Sequence, residues 1–232
     1  METTFHENRF VGLLLTFIGG GIDAFTYYHF NTFAATQTGN LVLAIIDAVK
    51  GEFTLVGEKL LSTLFFFLGI ILTKFLVSYF RKKNHPFWRL GILYFETLVF
   101  LLLSLFIVDL PITVITIIIS FATAMQWCSF ERINGMSYTS IMTTGNLKSM
   151  ATNLFDYLEH GKEQNLRQFF HYLFVVLSFF AGAFTIALLS HHYHFKAIRL
   201  TALLFFGLAL SQTYQMFKLR KIGSLSSSVV GN

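Results

Sequence analysis

Six runs of apolar residues, each near the twenty needed to cross the hydrocarbon core of a bilayer as a helix, constrain this chain more than any other feature. They cover about 10–30, 60–80, 90–108, 112–131, 168–190 and 197–217. A backbone in hydrocarbon must satisfy its own N–H and C=O groups, and a helix does so within one segment. Of 232 residues 54% are hydrophobic and 12% charged, a charged share about half that of globular domains. The reading is an all-α integral membrane protein: a single membrane domain over 1–232 with about six transmembrane helices.

The connections carry an orientation signal. With the N-terminus cytoplasmic, the inside segments hold Arg9, Arg81, Lys82, Lys83, Arg89, Arg132, Lys148, Lys162, Arg167, Lys218, Arg220 and Lys221. The outside segments hold Lys50, Lys59, Lys196 and Arg199. Twelve against four obeys the positive-inside rule and favours an even number of spans, with both termini cytoplasmic and the cell (plasma) membrane as location. Lys74 lies near a cytoplasmic helix end and can snorkel to the headgroups. The opening Met1-Glu2-Thr3-Thr4-Phe5-His6 is acidic, and the first run lacks a small-residue cleavage pattern, so a removable signal peptide is not expected.

The chain also repeats itself. Thr38-Gly39-Asn40-Leu41 recurs as Thr144-Gly145-Asn146-Leu147. Each copy follows a helix whose second half turns small and polar, Gly19-Gly20-Gly21-Ile22-Asp23-Ala24 and Ala122-Thr123-Ala124-Met125-Gln126. Each precedes a run too short or too polar to span, Leu41 to Val49 and Leu147 to Leu158. Three spans per half, an odd number, makes the second half enter from the opposite face, so the expectation is two inverted three-helix repeats, about 10–108 and 112–217, each with a short re-entrant half helix. Thr or Asn would cap such a half helix and Gly would let the backbone turn.

Gly-Ile-Asp-Ala in the first helix, Ala35-Thr36-Gln37-Thr38-Gly39-Asn40-Leu41 after it, and the later Thr143-Thr144-Gly145-Asn146 resemble the YoaK family of small bacterial membrane proteins over essentially the whole chain. The resemblance implies a multi-span membrane fold of unknown function. Where that family usually has a Gln-Asn pair in its second half, this chain has Gln126-Trp127, which leaves a polar role there to Gln126.

Asp23 lies well inside the first span, where a carboxylate is costly unless it meets a partner, water or a proton. It reads as a substrate, ion or proton site, or as a cap on irregular backbone. Glu96, about two turns into its span, could carry protons or pair with Arg89 or Arg132. The Gly19–Gly21 run reads as a hinge or as close helix packing, the duller and better-founded explanation. Asn40 and Asn146 could touch solute or only satisfy free amides. Glu131 and Arg132 read as interfacial. His191, His192 and His194 form a histidine cluster in an exposed connection, and no metal site is expected from it. The lone Cys128 supplies no disulfide or thiolate site.

Nucleophile elbow, zinc helix, phosphate loop and dinucleotide fingerprint are all missing, so neither an enzyme nor a cofactor is expected. The net charge of +5 belongs to the cytoplasmic loops, not to a nucleic-acid footprint. The preferred function is secondary transport or permeation of a small polar or anionic solute. Its central site would comprise Asp23, Thr38, Gly39, Asn40, Gln126, Thr144, Gly145 and Asn146, with Asp23 and Glu96 as proton- or ion-coupling groups. The alternative is a non-transporting membrane module that binds lipid or partner membrane proteins. Membrane lipids are expected neighbours and a homo-oligomer is compatible with this reading. The charged stretch 161–168 reads as a connector, and 223–232 as a disordered tail.

Overall fold

The computed structural model describes residues 7–83 and 87–229, the last ten of these as backbone only. Eight helices carry the fold: α1 (Arg9–Phe30), α2 (Gln37–Lys50), α3 (Phe53–Lys82), α4 (Trp88–Phe106), α5 (Ile112–Ser129), α6 (Thr144–His160), α7 (Glu163–Tyr193) and α8 (Ile198–Val229). By length and apolarity α1, α3, α4 and α5 can each cross a membrane, as can the 57-residue stretch Glu163–Leu219. As one straight helix that stretch would be roughly 85 Å long, far beyond a core of about 30 Å. It is broken at His194, whose φ of 51° starts a 3₁₀ turn, His194–Ala197, between α7 and α8. The outer faces are apolar, with Phe67, Phe75, Leu98, Phe184 and Leu203 exposed. In water such a surface would aggregate; in lipid it is the expected exterior. The protein is an all-α membrane protein.

The terminal signals are local. Asn8 accepts the Phe10 N–H through its side-chain oxygen (2.8 Å) and starts α1. The short helices α2 and α6 both stop at a glycine in the left-handed region, Gly51 (φ 80°) and Gly161 (φ 65°).

Helix α1 lies alongside α7 in a parallel sense: Ser178 Oγ donates to the Leu13 carbonyl (2.6 Å), Gly182 packs on Phe17, and Tyr28 reaches His191. A Cβ at Gly182 would collide with the Phe17 carbonyl, and one at Gly20 with the Phe179 carbonyl. The glycine run therefore serves close packing, with Gly19 fitted against the Ser140 backbone. Helices α3 and α5 also run parallel, with Glu58 near Thr113, Ser62 on Ser120 and Lys74 on Glu131. A Cβ at Gly69 would stand 2.8 Å from the Phe121 carbonyl. Helices α4 and α8 pair antiparallel, Tyr94 bonding Thr213 (2.7 Å) and Phe100 stacking on Phe205 (5.2 Å between centroids).

Several expectations need correction. Helix α3 begins at Phe53, so Lys59 lies inside it rather than in a connection. Helix α7 begins at Glu163, which absorbs most of the 161–168 connector. Helix α8 continues to Val229, past Gly223 where an irregular tail was expected, and the remaining 230–232 lie outside the described residues. A two-stranded hairpin, β1 (Arg132–Ile133) with β2 (Met136–Ser137), follows α5 and was not foreseen. Its turn residues Asn134 (φ 49°) and Gly135 (φ 80°) are the pair that such a tight turn favours.

Candidate functional site

The short helices α2 and α6 are each preceded by a short segment that turns back into the bundle, and polar side chains hold that segment. At the first, Asp23 Oδ1 accepts the Ala35 N–H (2.8 Å) and Oδ2 accepts the Thr36 hydroxyl (2.5 Å). Thr26 Oγ1 accepts the Ala34 N–H (3.1 Å). Asn40 reaches back seven residues, its Oδ1 accepting Phe33 N–H (2.8 Å) and its Nδ2 donating to the Phe33 carbonyl (2.6 Å). Gln37 Oε1 accepts from Asn40 Nδ2 and from Thr63 Oγ1, both at 2.9 Å, and Ser62 bonds Ser120 at 2.7 Å. This chain of bonds ties α1, α2, α3 and α5 together at one level.

At the second, Asn146 repeats the clamp. Its Oδ1 accepts Thr139 N–H (3.2 Å) and its Nδ2 donates to the Thr139 carbonyl (2.8 Å), again seven residues back. Gln126 Nε2 donates to the Leu15 carbonyl and to Ser140 Oγ, both at 3.2 Å, while its Oε1 has no partner among the described residues. Among the described residues no side-chain carboxylate holds this segment.

Both asparagines therefore act one turn inside their helices rather than as caps; the capping positions are Thr36 and Thr143, neither of which makes a side-chain cap bond. Between the two clamps lies an apolar layer of Ala35, Phe66, Ala124 and Ile141, with Trp127 and Met142 packed against it. Ala35 and Ile141, one from each returning segment, are fully buried there.

Not every expected residue converges. Thr38 is exposed and heads the stripe Leu41, Val42, Ile45, Ile46 and Val49, the lipid-facing side of α2. Thr144 and Gly145 are also exposed. Gly39 is confined, since a Cβ there would stand 3.1 Å from the Phe33 ring, whereas Gly145 has open space. Asp23, Asn40, Gln126 and Asn146 are buried. Glu96 is fully buried in α4, and neither of its oxygens has a partner among the described residues, so the expected pairing with Arg89 or Arg132 does not occur. Arg89 Nε instead donates to the Ser129 carbonyl (2.7 Å). Glu131 pairs with Lys74 at the surface (2.9 Å), as an interfacial residue does.

A family model described as "Protein of unknown function (DUF1275)" matches residues 11–211. The chain belongs to the DUF1275 family. It is 23% identical over 207 residues to the "UPF0700 transmembrane protein YoaK" of Bacillus subtilis (strain 168), covering 85% of this chain and 91% of that protein. The match agrees with the resemblance carried by the Thr-Gly-Asn motifs. No solved structure matches this DUF1275 chain.

Besides the hairpin, sequence reasoning missed an ion pair of this DUF1275 protein between Asp47 on α2 and Lys59 on α3 at 2.7 Å, with the two side chains 10% and 2% exposed. The eleven residues between them cross the Gly51 turn, a spacing that carries no helical-face signal. Apolar flanks around Lys59 were the available hint, since a lysine inside a span needs a partner.

Proposed function

We propose that this protein is a secondary transporter or permease for a small polar or anionic solute, not an enzyme, and that it works as two inverted three-helix repeats. In this reading α1, α3 and α4 cross the membrane, α5, α7 and α8 cross it in the opposite senses, and α2 and α6 are half helices entering from opposite faces. Six crossings put both termini on the cytoplasmic side of the plasma membrane, in keeping with the Lys and Arg distribution.

The observation that carries the reading is the repeated asparagine clamp. Asn40 on Phe33 and Asn146 on Thr139 use the same side-chain atoms over the same seven-residue reach, and the segments they hold meet at Ala35 and Ile141. Half helices that begin inside a bundle aim unsatisfied amides at its middle, the arrangement by which inverted-repeat transporters hold solutes. The apolar layer between the clamps is then the barrier of an occluded state. Solute would reach Asp23, Asn40, Gln126 and Asn146 as that layer parts. Glu96, buried without a partner among the described residues, is the group assigned to proton coupling, with Asp23 assigned to solute or ion.

The second reading, a non-transporting module for lipid or partner helices, draws on one observation: Asp23, Asn40 and Asn146 already spend their hydrogen bonds on the returning segments. Proteoliposomes discriminate. The transport reading expects uptake of a member of a panel of small anions, sugars and amino acids, abolished in Gln126→Leu at unchanged folding. No flux of any solute, with Asp23→Asn and Asn40→Ala lowering only the yield of folded protein, would give the second reading the field.

A further inference from the structure

The face on which α1 begins holds a cavity of about 220 Å³ where the end of α3, the start of α4 and the β1 strand come together. Arg81, Arg89 and Arg132 line it, with Glu7, Ser129 and Glu131. Both acids are engaged. Glu7 Oε2 accepts the Gly135 N–H (3.2 Å), and Glu131 pairs with Lys74 (2.9 Å). Arg89 is held by its Nε on the Ser129 carbonyl and by Trp88, whose ring centre lies 4.8 Å from the guanidinium carbon. Among the described residues its two terminal nitrogens make no hydrogen bond. Arg81 and Arg132 make no ion pair among the described residues.

Loop arginines on one face satisfy the positive-inside rule wherever they point. That rule does not require three of them, from three different elements, to line one recess. Three guanidinium groups against the two carboxylates Glu7 and Glu131 leave the recess net positive, and the N-terminal dipole of α4 adds to that field. Guanidinium forks match the oxygens of phosphate in pairs, which ammonium groups do not. A water takes roughly 30 Å³ of liquid, so the recess has room for a phosphate group with part of its hydration.

We propose that this recess is a binding site for a phosphate-bearing anion, gripped by Arg81, Arg89 and Arg132. It lies apart from the Thr-Gly-Asn clamps and does not depend on the transport reading. The phosphate can come from an anionic lipid headgroup or from a soluble phosphate.

Trp88 is the reporter. The chain has two tryptophans, so Trp127→Phe leaves Trp88 alone, stacked on Arg89. The full chain in neutral detergent is titrated with inorganic phosphate, with dihexanoyl phosphatidylglycerol, and with dihexanoyl phosphatidylcholine and chloride at matched ionic strength as controls. A saturable change in Trp88 emission is expected with phosphate, with phosphatidylglycerol, or with both, and not with the controls. A response to phosphate identifies a soluble anion as sufficient; a response to phosphatidylglycerol alone identifies the headgroup. Arg81→Gln with Arg132→Gln weakens binding at least tenfold, while Lys82→Gln with Lys83→Gln, which flank Arg81 without lining the recess, changes it less than twofold. Should the double arginine variant not fold, Arg81→Gln alone is expected to weaken binding at least threefold. No saturable response to either anion, an equal response to chloride, an undiminished response in the folded arginine variants, or an equal loss in the lysine variant overturns the proposal.

Discussion

At the first clamp, Asp23 holds two donors of the returning segment, Ser62 bonds Ser120, and Asp47 is locked to Lys59. At the second, laying Asn146 on Asn40 puts Ser129 where Asp23 would be and Asn153 where Asp47 would be. Both turn inward on their own helices, Ser129 donating to the Met125 carbonyl and Asn153 to the Ser149 carbonyl, each at 2.7 Å. Helix α2 buries Asn40, Ala44 and Asp47; helix α6 buries only Asn146 among its residues. The two sites share a clamp and differ in every other tether. A common clamp sets the geometry of each short helix, and the additional bonds set how firmly it stays there. The first is expected to be the firmer wall of the bundle and the second the freer one.

The largest way to break this comparison is at the buried ion pair. Asp47→Leu or Lys59→Met alone leaves a charge without its partner and is expected to cost about 3–5 kcal/mol, while the double replacement recovers most of it. Asn153→Ala at the matching place in α6 should cost under about 1 kcal/mol, one local hydrogen bond. Reversible unfolding in detergent mixtures checks all four, and equal costs at Asp47 and Asn153 would erase the asymmetry.

Next comes Asp23→Ala, which strands the Ala35 amide and the Thr36 hydroxyl and is expected to cost about 2–4 kcal/mol, at 1–3 kcal/mol per buried donor less what the segment regains by relaxing. Ser129→Ala should change the melting temperature by no more than a degree or two. A smaller difference separates the glycines. Gly39→Ala must push the Phe33 ring aside and should destabilise by roughly 1 kcal/mol, as modest overpacking does. Gly145→Ala has open space and gains helix propensity, a change of up to about 1 kcal/mol in the stabilising direction. Smallest is the expected difference in motion of the wild type: amides in the first two turns of α6 should exchange with deuterium at least several-fold faster than those of α2. Equal protection would mean that α6 is held by something other than side-chain tethers.

Much of the fold was legible because hydrocarbon imposes one rule on every segment: a long apolar run becomes a helix. The motif repeat was legible for a similar reason, since identical residues met identical backbone needs at Asn40 and Asn146. What could not be read was which side of a helix faces which neighbour. Pairing with Arg89 or Arg132 was one of two readings of Glu96, yet among the described residues its oxygens have no partner and Arg89 turns to Ser129, directions that no local pattern encodes. Thr38 was placed in a site by its motif and stands instead on the outer stripe of α2. The hairpin was legible and missed: Asn134-Gly135 is a strong turn signal, hidden by the expectation that nothing but helix follows an apolar run.

The tight seam between α1 and α7 has a consequence for how the protein is made. The glycine face of α1 fits against Phe179, Gly182 and Ile186, residues that leave the ribosome long after Gly21 has done so. At bacterial-scale synthesis rates of 5–20 residues per second that interval is on the order of ten seconds or more. Through it, the helix that carries Gly19, Gly20 and Gly21 must wait in or beside the membrane without its principal neighbour, while Asp23 finds its partners Ala35 and Thr36 within thirteen residues of itself.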